Sequence, residues 1–390
     1  MSDKPLHGVR VLDLSRLLPG PYCTLLLADL GAEVIKVEDV EGGDTIRAMP
    51  PFIGDESAYF LALNAGKKSI ALNLKSSAGR DIFLKLASRA GVIVEGFRPG
   101  TADRLGIGYE AVKAVNPGVV YCSISGYGQD GPIRDRAGHD LNAVARAGIL
   151  GLCGRPDGLP AIPPVQIADL GSALYAAAGI AAHLRESERT GVGRYLDIGM
   201  MDSALAWMVM TVAEHAAGER GARGRMALTG RHPCYNVYRT RDGREVCLAA
   251  LERKFWESFC RTVGRPDLLP VQFSEKTEDF AAVEALFAAR TWEEWAAALN
   301  TADFCCDVVP TLDEVLSDPQ VKHRGLARQV RAGGRVAVQL GHPLRDRGAG
   351  APASCPGHGE HSAELLAELG IGPAEFAELE AAGAVRGRSR

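Results

Sequence analysis

The sequence predicts an α/β protein with a parallel sheet in a large domain and a second, smaller domain. The chain has 390 residues, which exceeds the roughly 250–300 at which single hydrophobic cores stop growing. It opens on a strand at residues 8–15, a helix at residues 22–30 and a strand at residues 33–38, a βαβ unit. Near residue 220 a charged, glycine-rich stretch precedes alternating residues around Asp242-Gly243. That pattern is typical of a β-hairpin, so we expect the smaller domain to begin there.

Further strand-like runs in the first half lie at residues 69–74, 91–96 and 119–125. Helical patterns at about residues 77–90 and 109–115 separate these runs. Such alternation is typical of parallel strands that are joined by helices. A later run at residues 194–198 indicates another strand, before an apolar helix over residues 199–218.

The second half of the chain is mainly helical in pattern. Helices are expected at about residues 252–263, 279–288 and 291–299. Beyond about residue 318 we expect a strand at residues 335–340, a glycine- and proline-rich passage at residues 341–360 and a helix near residues 361–369. The basic end, residues 385–390, is expected to be frayed, with an RNA-contacting tail as the less favoured alternative.

Composition places the chain among ordinary globular proteins. Hydrophobic residues make up 46%, charged residues 24%, and the formal net charge is −4, so we expect no nucleic-acid partner. Nine cysteines occur without CxxC spacing, and the N-terminus lacks the apolar region of a signal peptide. We therefore expect a cytoplasmic protein. Its longest apolar runs fall short of the about 20 residues that a membrane-spanning helix needs, so no membrane crossing is expected.

The turn of the first βαβ unit excludes the commonest dinucleotide site. Residues 15–21 read SRLLPGP and lack the GxGxxG glycines that let the backbone approach a pyrophosphate. GxxxxGK[ST], HExxH and GxSxG patterns are missing as well. A nicotinamide enzyme, a P-loop protein, a zinc protease and a serine hydrolase are therefore disfavoured, and we expect no metal site.

His139 lies shortly after the predicted strand at residues 119–125 and the glycine-rich loop that follows this strand. Strand 119–125 leads into the loop at residues 126–132, and Gly138-His139-Asp140 comes shortly after. Ligands bind outside the carboxyl ends of parallel strands, where such loops lie. His139 is thus a candidate proton-transfer group. The alternatives are a capping or core histidine for His139 and a plain helix N-cap for Asp140.

Two acids complete the candidate set. Asp169 stands between an apolar run and a helix expected to begin near Gly171, where the helix dipole and unsatisfied amides favour a carboxylate and could stabilise an oxyanion. Its alternative role is an N-cap. Glu252 follows an apolar strand and, taken alone, reads as an ordinary acid in the first turn of a helix. Only as a set do His139, Asp169 and Glu252 indicate chemistry.

The segments around these residues resemble the class III CoA-transferase superfamily, the CaiB/BaiF group, and are most similar to its α-methylacyl-CoA racemases. The resemblance covers nearly the whole chain. It rests on VRVLDLSRLLPGPYCTLLLADLGAEVIKVE, KKSIALNLK, EGFRPGTADRLGIGYE, YCSISGYGQDGP, AGHDLNAVARAGIL, QIADLG, TGVGRYLDIGMMD, PCYNVYRTRDG, ALERKFW and DPQVKHRG.

The resemblance assigns roles to the three candidates. In the racemases the matching histidine and aspartate are the two bases, here His139 and Asp169, and the matching glutamate, here Glu252, supports the histidine. Two bases of this kind could invert the α-carbon of a 2-methylacyl-CoA through an enolate. In the transferases the aspartate is instead a nucleophile that forms anhydride and thioester intermediates, and the histidine is generally not used. We favour the racemase, with a CoA transferase as the alternative and a non-catalytic CoA-binding protein as a third possibility.

The resemblance also implies where CoA binds. The matching positions are Leu72, Lys75, Phe97, Arg98, Arg104 and Asp140, and no cofactor is expected beyond the CoA moiety of the substrate. For Lys75 and Arg104 the alternative is a solvated surface charge. The chain departs from the racemase pattern at Ala143, where tyrosine is usual, and at Asp39, where arginine is often found. These departures leave the acyl specificity open.

Finally, the resemblance implies an interlocked homodimer. The large, Rossmann-like domain would then comprise residues 1–220 and 318–390, and the smaller α+β domain residues 221–317. In such dimers the site lies between the large domain of one subunit and the small domain of the other. Glu252 could therefore reach His139 from the partner chain.

Overall fold

The computed structural model describes residues 4–332, 335–345 and 354–388. Contacts divide the chain into two compact units: the first is Met1–Ala147, Pro164–Trp207 and Pro319–Arg390, and the second is Gly148–Pro163 and Met208–Asp318. This division lies within one residue of the predicted boundary near 318. It differs from the predicted domain bounds at residues 148–163 and 208–220, which belong to the second unit.

Strands are interspersed with helices along the chain. Up to residue 147 they are β1 Arg10–Asp13, α1 Pro19–Asp29, β2 Glu33–Glu38, β3 Phe52–Ile53, β4 Glu56–Ser57, α2 Ala58–Leu63, β5 Lys68–Leu72, α3 Ser77–Ala87, β6 Val92–Glu95, α4 Thr101–Arg104, α5 Tyr109–Val115, β7 Val120–Ser125 and α6 Asp140–Arg146. Next come α7 Ile149–Leu152, α8 Ile167–Thr190, β8 Arg194–Gly199, α9 Met200–Ala206 and α10 Val209–Ala216. The second unit continues with β9 Tyr235–Arg239, β10 Glu245–Ala249, α11 Arg253–Thr262, α12 Thr277–Ala288, α13 Trp292–Leu299, β11 Cys306–Val308 and α14 Leu312–Ser317. The last elements are α15 Pro319–His323, β12 Ala327–Ala332, β13 Arg335–Leu340, α16 Ser362–Glu368, α17 Pro373–Ala381 and β14 Val385–Arg386.

A seven-stranded sheet, ordered β14-β5-β2-β1-β6-β7-β8, forms the centre of the first unit. The strands β5, β2, β1, β6, β7 and β8 are parallel to one another, and the edge strand β14 is antiparallel to its neighbour β5. One face packs against α3, α5 and α16, which bury Phe83, Val112 and Leu366. On the other face, α1 and α8 pack against each other and against the central strands. The predicted α/β fold with a mostly parallel sheet is therefore confirmed. It could be predicted because strands that are buried on both faces appear in the sequence as continuous apolar runs.

Three local expectations are wrong. The helix after the apolar run at 163–168 begins at Ile167 rather than near Gly171, so Asp169 lies within its first turn. The apolar helix expected over 199–218 is two helices, α9 and α10, separated at Trp207-Met208. The basic end is not frayed through its length, because Val385–Arg386 pairs with β5. Within the passage expected at 341–360, residues 346–353 lie outside the described residues.

In the second unit, β9, β10 and β11 form an antiparallel sheet. The predicted hairpin around Asp242-Gly243 is confirmed, with Gly243 at a φ of +80° that favours glycine. The helices predicted in this part are confirmed as α11, α12 and α13. The core is aromatic: Trp256, Phe259, Phe287, Trp295 and Phe304 are fully buried.

Within the described residues, one helix meets the length and composition of a membrane span. It is α8, Ile167–Thr190, with a mean hydropathy of 1.3. A core helix of a globular protein passes the same test, and α8 buries Ala173, Ala176 and Ile180 completely inside the first unit.

Four charged side chains are buried together beneath the carboxyl end of β1. The Lys67 ammonium lies 3.1 Å from Asp13 Oδ2, and the Lys36 ammonium lies 2.8 Å from Asp44 Oδ2. None of the four side chains is more than 1% exposed. Burial alone would raise the pKa of Asp13, but the charges of Lys67 and Lys36 outweigh it and hold that pKa well below its usual range. Burial lowers the pKa of Lys67 to about 8.

We expect Asp13→Ala to lower the free energy of unfolding by about 3–5 kcal/mol, because it leaves Lys67 buried without its carboxylate. Urea denaturation monitored by circular dichroism measures the effect. Asp81→Ala is the matched control. It removes an exposed carboxylate 3.8 Å from Arg80, and exposed pairs contribute about 0–1 kcal/mol. Equal effects of the two substitutions would contradict a stabilising role for the buried cluster.

Candidate active site

A cavity of about 470 Å³ opens in the first unit at the carboxyl ends of β1, β6 and β7. It is lined by Ser15, Arg16, Leu17, Pro19, Gly20, Gly96, Phe97, Arg98, Pro99, Ile124, Ser125, Gly126, Arg134, Arg136, Ala137, Gly138, His139, Asn142, Asp169 and Met200. A larger cavity of about 890 Å³ lies in the second unit, but none of the predicted catalytic residues lines it. Chemistry rather than volume therefore identifies the candidate site.

One wall of the cavity is the loop between β1 and α1. The Ser15 N–H donates to Asp13 Oδ1 at 3.0 Å, and the Lys36 ammonium donates to the Ser15 carbonyl at 3.0 Å. The Leu17 N–H donates to Asp44 Oδ1 at 3.3 Å, while Leu17 itself has a left-handed φ of +63°. A leucine seldom adopts this conformation, so it persists only where its surroundings fix it. The buried charged cluster thus holds the loop against the cavity.

His139 also lines the cavity and lies directly before α6. Gly138 lets the chain pass Tyr127, because a Cβ at this position would lie 2.5 Å from the Tyr127 hydroxyl oxygen. The His139 backbone is extended, and its N–H donates to Asn142 Oδ1 at 3.1 Å. The His139 residue is exposed and lines the cavity. The alternative of a histidine buried in the core is therefore wrong.

Asp169 is the third residue of α8 and reaches the same cavity. Its Oδ1 atom is buried and has no hydrogen-bond partner within the described part of the chain. Burial, followed by the charge of Asp140, raises the pKa of Asp169 from 3.8 to about 7. A carboxyl with that pKa is present in both protonation states near neutral pH. Imidazole is the other side chain that exchanges protons readily in this range.

Asp140 does not cap its own helix with its carboxylate. Its Oδ1 atom instead accepts hydrogen bonds from the N–H groups of Ala168 at 2.7 Å and Asp169 at 3.1 Å. The Leu170 N–H is used as well, since it donates to the Gln166 carbonyl at 3.0 Å. The N–H groups of Ala168, Asp169 and Leu170 are therefore already bonded and do not stabilise an oxyanion, contrary to the expectation for this turn of α8.

Glu252 belongs to the second unit. It occupies the N-cap position of α11, where its carbonyl accepts from the N–H groups of Phe255 and Trp256. The side chain of Glu252 is exposed and does not cap the helix. The fully buried Trp256 anchors the first turn of α11, because its indole N–H donates to the Leu268 carbonyl at 3.0 Å. The backbone of Glu252 is thus fixed within its own unit, while its carboxylate is exposed.

Apart from Asp140, the predicted CoA residues fall into three groups. Phe97 and Arg98 line the cavity, whereas Lys75 and Arg104 are exposed outside its lining. The Leu72 side chain is 1% exposed and packs in the core, so only its backbone could meet a ligand. Among residues 4–332, 335–345 and 354–388, no three or more His, Cys, Asp or Glu side chains are grouped to hold a metal ion.

Three exposed arginines of the cavity lining were not predicted: Arg16, Arg134 and Arg136. Arg16 lies 5.8 Å from the centre of the Phe97 ring, and the other two precede Gly138 in the segment IRDRAG. Their signal in the sequence was their place beside the site's loops: Arg16 lies in the turn of the first βαβ unit, and Arg134 and Arg136 lie between the glycine-rich loop at residues 126–132 and Gly138. Arg98 adds a fourth positive charge to the lining, which suits an anionic ligand.

Comparison with known proteins agrees with this geometry. The model of CoA-transferase family III matches residues 6–362. The succinyl-CoA:glutarate CoA-transferase of Mus musculus is 36% identical over 338 residues, which cover 84% of this chain and 77% of that protein. The α-methylacyl-CoA racemase of Mus musculus is 33% identical over 388 residues, 96% of each chain. The crystal structure of a CAIB/BAIF family protein from Brucella suis, 31% identical, superposes with a TM-score of 0.82 and covers 94% of this chain and 100% of that chain.

Relatives of both activity classes thus match most of the chain, and the comparison does not favour the racemase over the transferase. The names of both classes of relative refer to acyl-CoA thioesters. The chain belongs to CoA-transferase family III.

Proposed function

We propose that this protein is a racemase or epimerase that inverts the α-carbon of a 2-methylacyl-CoA. The observation that carries this proposal is that His139 and Asp169 line one cavity while the pKa of Asp169 is raised to about 7. Inversion requires one base on each face of the planar enolate, in complementary protonation states. A neutral imidazole and a protonated carboxyl meet that requirement.

In one direction, the imidazole of His139 removes the α-proton and the electron pair of the C–H bond moves into the thioester to form an enolate. The protonated Asp169 then delivers its proton to the opposite face of the same carbon. The product leaves with inverted configuration, and the enzyme holds imidazolium and carboxylate. In the other direction these roles are exchanged. Glu252 stabilises the imidazolium of His139, either within one chain or from the partner subunit.

A CoA transferase is the second candidate, favoured by the 36% identity to a relative of that name. In this mechanism the ionised Asp169 attacks the thioester carbonyl, the C–S bond breaks, and CoA leaves as a thiolate from an acyl-anhydride. The thiolate then attacks the Asp169 carbonyl of the anhydride, which releases the donor acid and leaves an Asp169–CoA thioester. The carboxylate of the acceptor acid attacks this thioester to form a second anhydride with Asp169, and the released CoA thiolate attacks the acceptor's carbonyl carbon, which gives the new acyl-CoA and frees the Asp169 carboxylate. The unpartnered Oδ1 atom of Asp169 is compatible with such an attack.

The CoA moiety binds beside Phe97 and Arg98, with Lys75 and Arg104 as further contacts.

Two copies of the chain form the interlocked dimer. Exposed apolar side chains support this proposal: Leu174, Tyr175 and Trp207 in the first unit, and Val209 and Met210 in the second. The protein acts in the cytoplasm, where its nine cysteines, all free, remain reduced.

The test is α-proton exchange in deuterated water. We expect one enantiomer of a 2-methylacyl-CoA to be converted to the other with one deuterium at the α-carbon, measured by mass spectrometry and chiral chromatography. Asp135→Asn is the control variant, because Asp135 is exposed and lies outside the cavity lining. A panel of such thioesters that gains no deuterium would exclude the racemase. Transfer of CoA to an added acid under the same conditions would establish the second candidate.

A further inference from the structure

We propose that Asp140 is a positioning residue for the proposed proton transfer: its carboxylate ties the helix of Asp169 to the segment of His139 and places a second negative charge beside Asp169. The inference rests on the proposed function. It gives Asp140 a task different from the CoA contact that the family resemblance implies.

The first step of the argument is the pair of hydrogen bonds. Asp140 Oδ1 accepts from the N–H groups of Ala168 and Asp169, the second and third residues of α8. N–H groups in the first turn of a helix have no partner within the helix and need one from outside. The N-cap residue Gln166 supplies none from its side chain. Asp140 therefore caps α8 from another helix, α6.

The second step is the position of Asp140 directly after His139. The two residues begin α6, with His139 at the N-cap and Asp140 as the first helical residue. A shift of Asp140 would therefore move His139 along the backbone and Asp169 along the capping bonds. Because a two-base inversion needs both groups at fixed distances from one carbon, this connection fixes the geometry on which the reaction depends.

The third step is the charge. Next to burial, the charge of Asp140 is what raises the pKa of Asp169. The other charged side chains on the elements packed against α8 are Asp29 of α1, Arg146 of α6, Arg194 and Asp197 of β8, and Asp202 of α9. The cavity adds His139, Arg16, Arg98, Arg134 and Arg136. Of these groups, Asp140 accepts a hydrogen bond from the Asp169 N–H, and its charge follows burial as a cause of the raised pKa of Asp169.

Two neutral variants separate the cap from the charge. Asp140→Asn keeps an oxygen that accepts both N–H bonds but removes the charge, and Asp140→Ala removes both. The readout is the pKa of Asp169, measured by carbon NMR on protein labelled at the aspartate carboxyl carbons, with the signal assigned through Asp169→Asn. This measurement needs no substrate. We expect Asp140→Asn to lower the pKa of Asp169 by about one unit. In each direction of inversion, the limb of the pH–activity profile that reflects Asp169 should move to lower pH by the same amount.

Asp140→Ser, which keeps a capping oxygen without charge, gives the same expected shift and serves if the asparagine variant folds poorly. Asp135→Asn, which removes an exposed carboxylate from the same segment, is expected to leave the pKa of Asp169 unchanged. An unchanged pKa of Asp169 in the neutral Asp140 variants would overturn the inference and leave Asp140 as a helix cap only. If the pKa shifts while no 2-methylacyl-CoA exchanges its α-proton, the proposed function fails and the coupling of Asp140 to Asp169 stands.

Discussion

Asp169→Asn is expected to lower turnover of the acyl-CoA substrate by at least about 10³-fold, because asparagine keeps the size of the side chain but neither transfers a proton nor attacks a carbonyl. Both candidate mechanisms require this result. The measurement is the initial rate of inversion, or of CoA transfer, with purified wild-type protein and variant at saturating thioester.

The same substitution is expected to change stability in a pH-dependent way. The unfolded chain loses the Asp169 proton near the ordinary pKa of 3.8, whereas the folded protein keeps it up to about pH 7. Across this window the folded state binds the additional proton, so its stability falls as pH rises. Asparagine removes that loss. Relative to wild type, the free energy of unfolding of the variant should therefore increase between pH 4 and pH 7, by on the order of 2–4 kcal/mol.

An inactive but stabilised variant identifies Asp169 as a catalytic rather than a structural residue. Asp135→Asn is the control and should change neither turnover nor the pH dependence of unfolding, since Asp135 is 74% exposed. Turnover of Asp169→Asn within about tenfold of wild type would contradict both mechanisms. A variant that is inactive and also destabilised at pH 7 would indicate that Asp169 serves the fold.

The fold was predictable where local pattern and tertiary structure agree. The strand Val120–Ser125 is buried throughout, and such a run gives an unambiguous signal in the sequence. The start of α8 was not predictable, because the group that caps it, Asp140, lies 28 residues before Ala168 in the chain. The break at Trp207-Met208 contains no glycine or proline, and the pairing of Val385–Arg386 with β5 joins residues more than 300 positions apart. Neither feature leaves a local signal.

The site was predictable to the extent that it follows the topology of the sheet. His139 follows the strand Val120–Ser125 and its loop, and the rule that ligands bind at the carboxyl ends of parallel strands places it at that edge of the sheet. Within the described residues, no strand lies between α7 and α8, so only the family resemblance implied that Asp169 lies in the same site. The direction of the Asp140 carboxylate could not be predicted, because a residue at a helix start usually serves its own helix. The arginines at 16, 134 and 136 also carry no pattern of their own. Their grouping depends on how two separate loops fold.

His139→Ala is the substitution that separates the two candidate functions. If the protein is a racemase, we expect inversion to fall by at least about 10³-fold, because one face of the enolate has lost its base. If it is a CoA transferase, transfer should remain within about tenfold of wild type, since Asp169 alone forms the covalent intermediates. The control is His183→Ala, which removes a half-buried histidine of α8 that pairs with Glu186 outside the cavity.

Deuterated water makes the His139→Ala variant more informative than a loss of rate. The remaining base, Asp169, still faces one side of the α-carbon. It can remove the proton from the enantiomer that presents its proton to that side and, after exchange with solvent, return deuterium to the same side. We therefore expect deuterium to enter one enantiomer with retention of configuration, and the other enantiomer to remain unlabelled. Inversion at the wild-type rate would show that His139 is not the second base, whereas labelling of one enantiomer alone would assign each residue to its own face of the enolate.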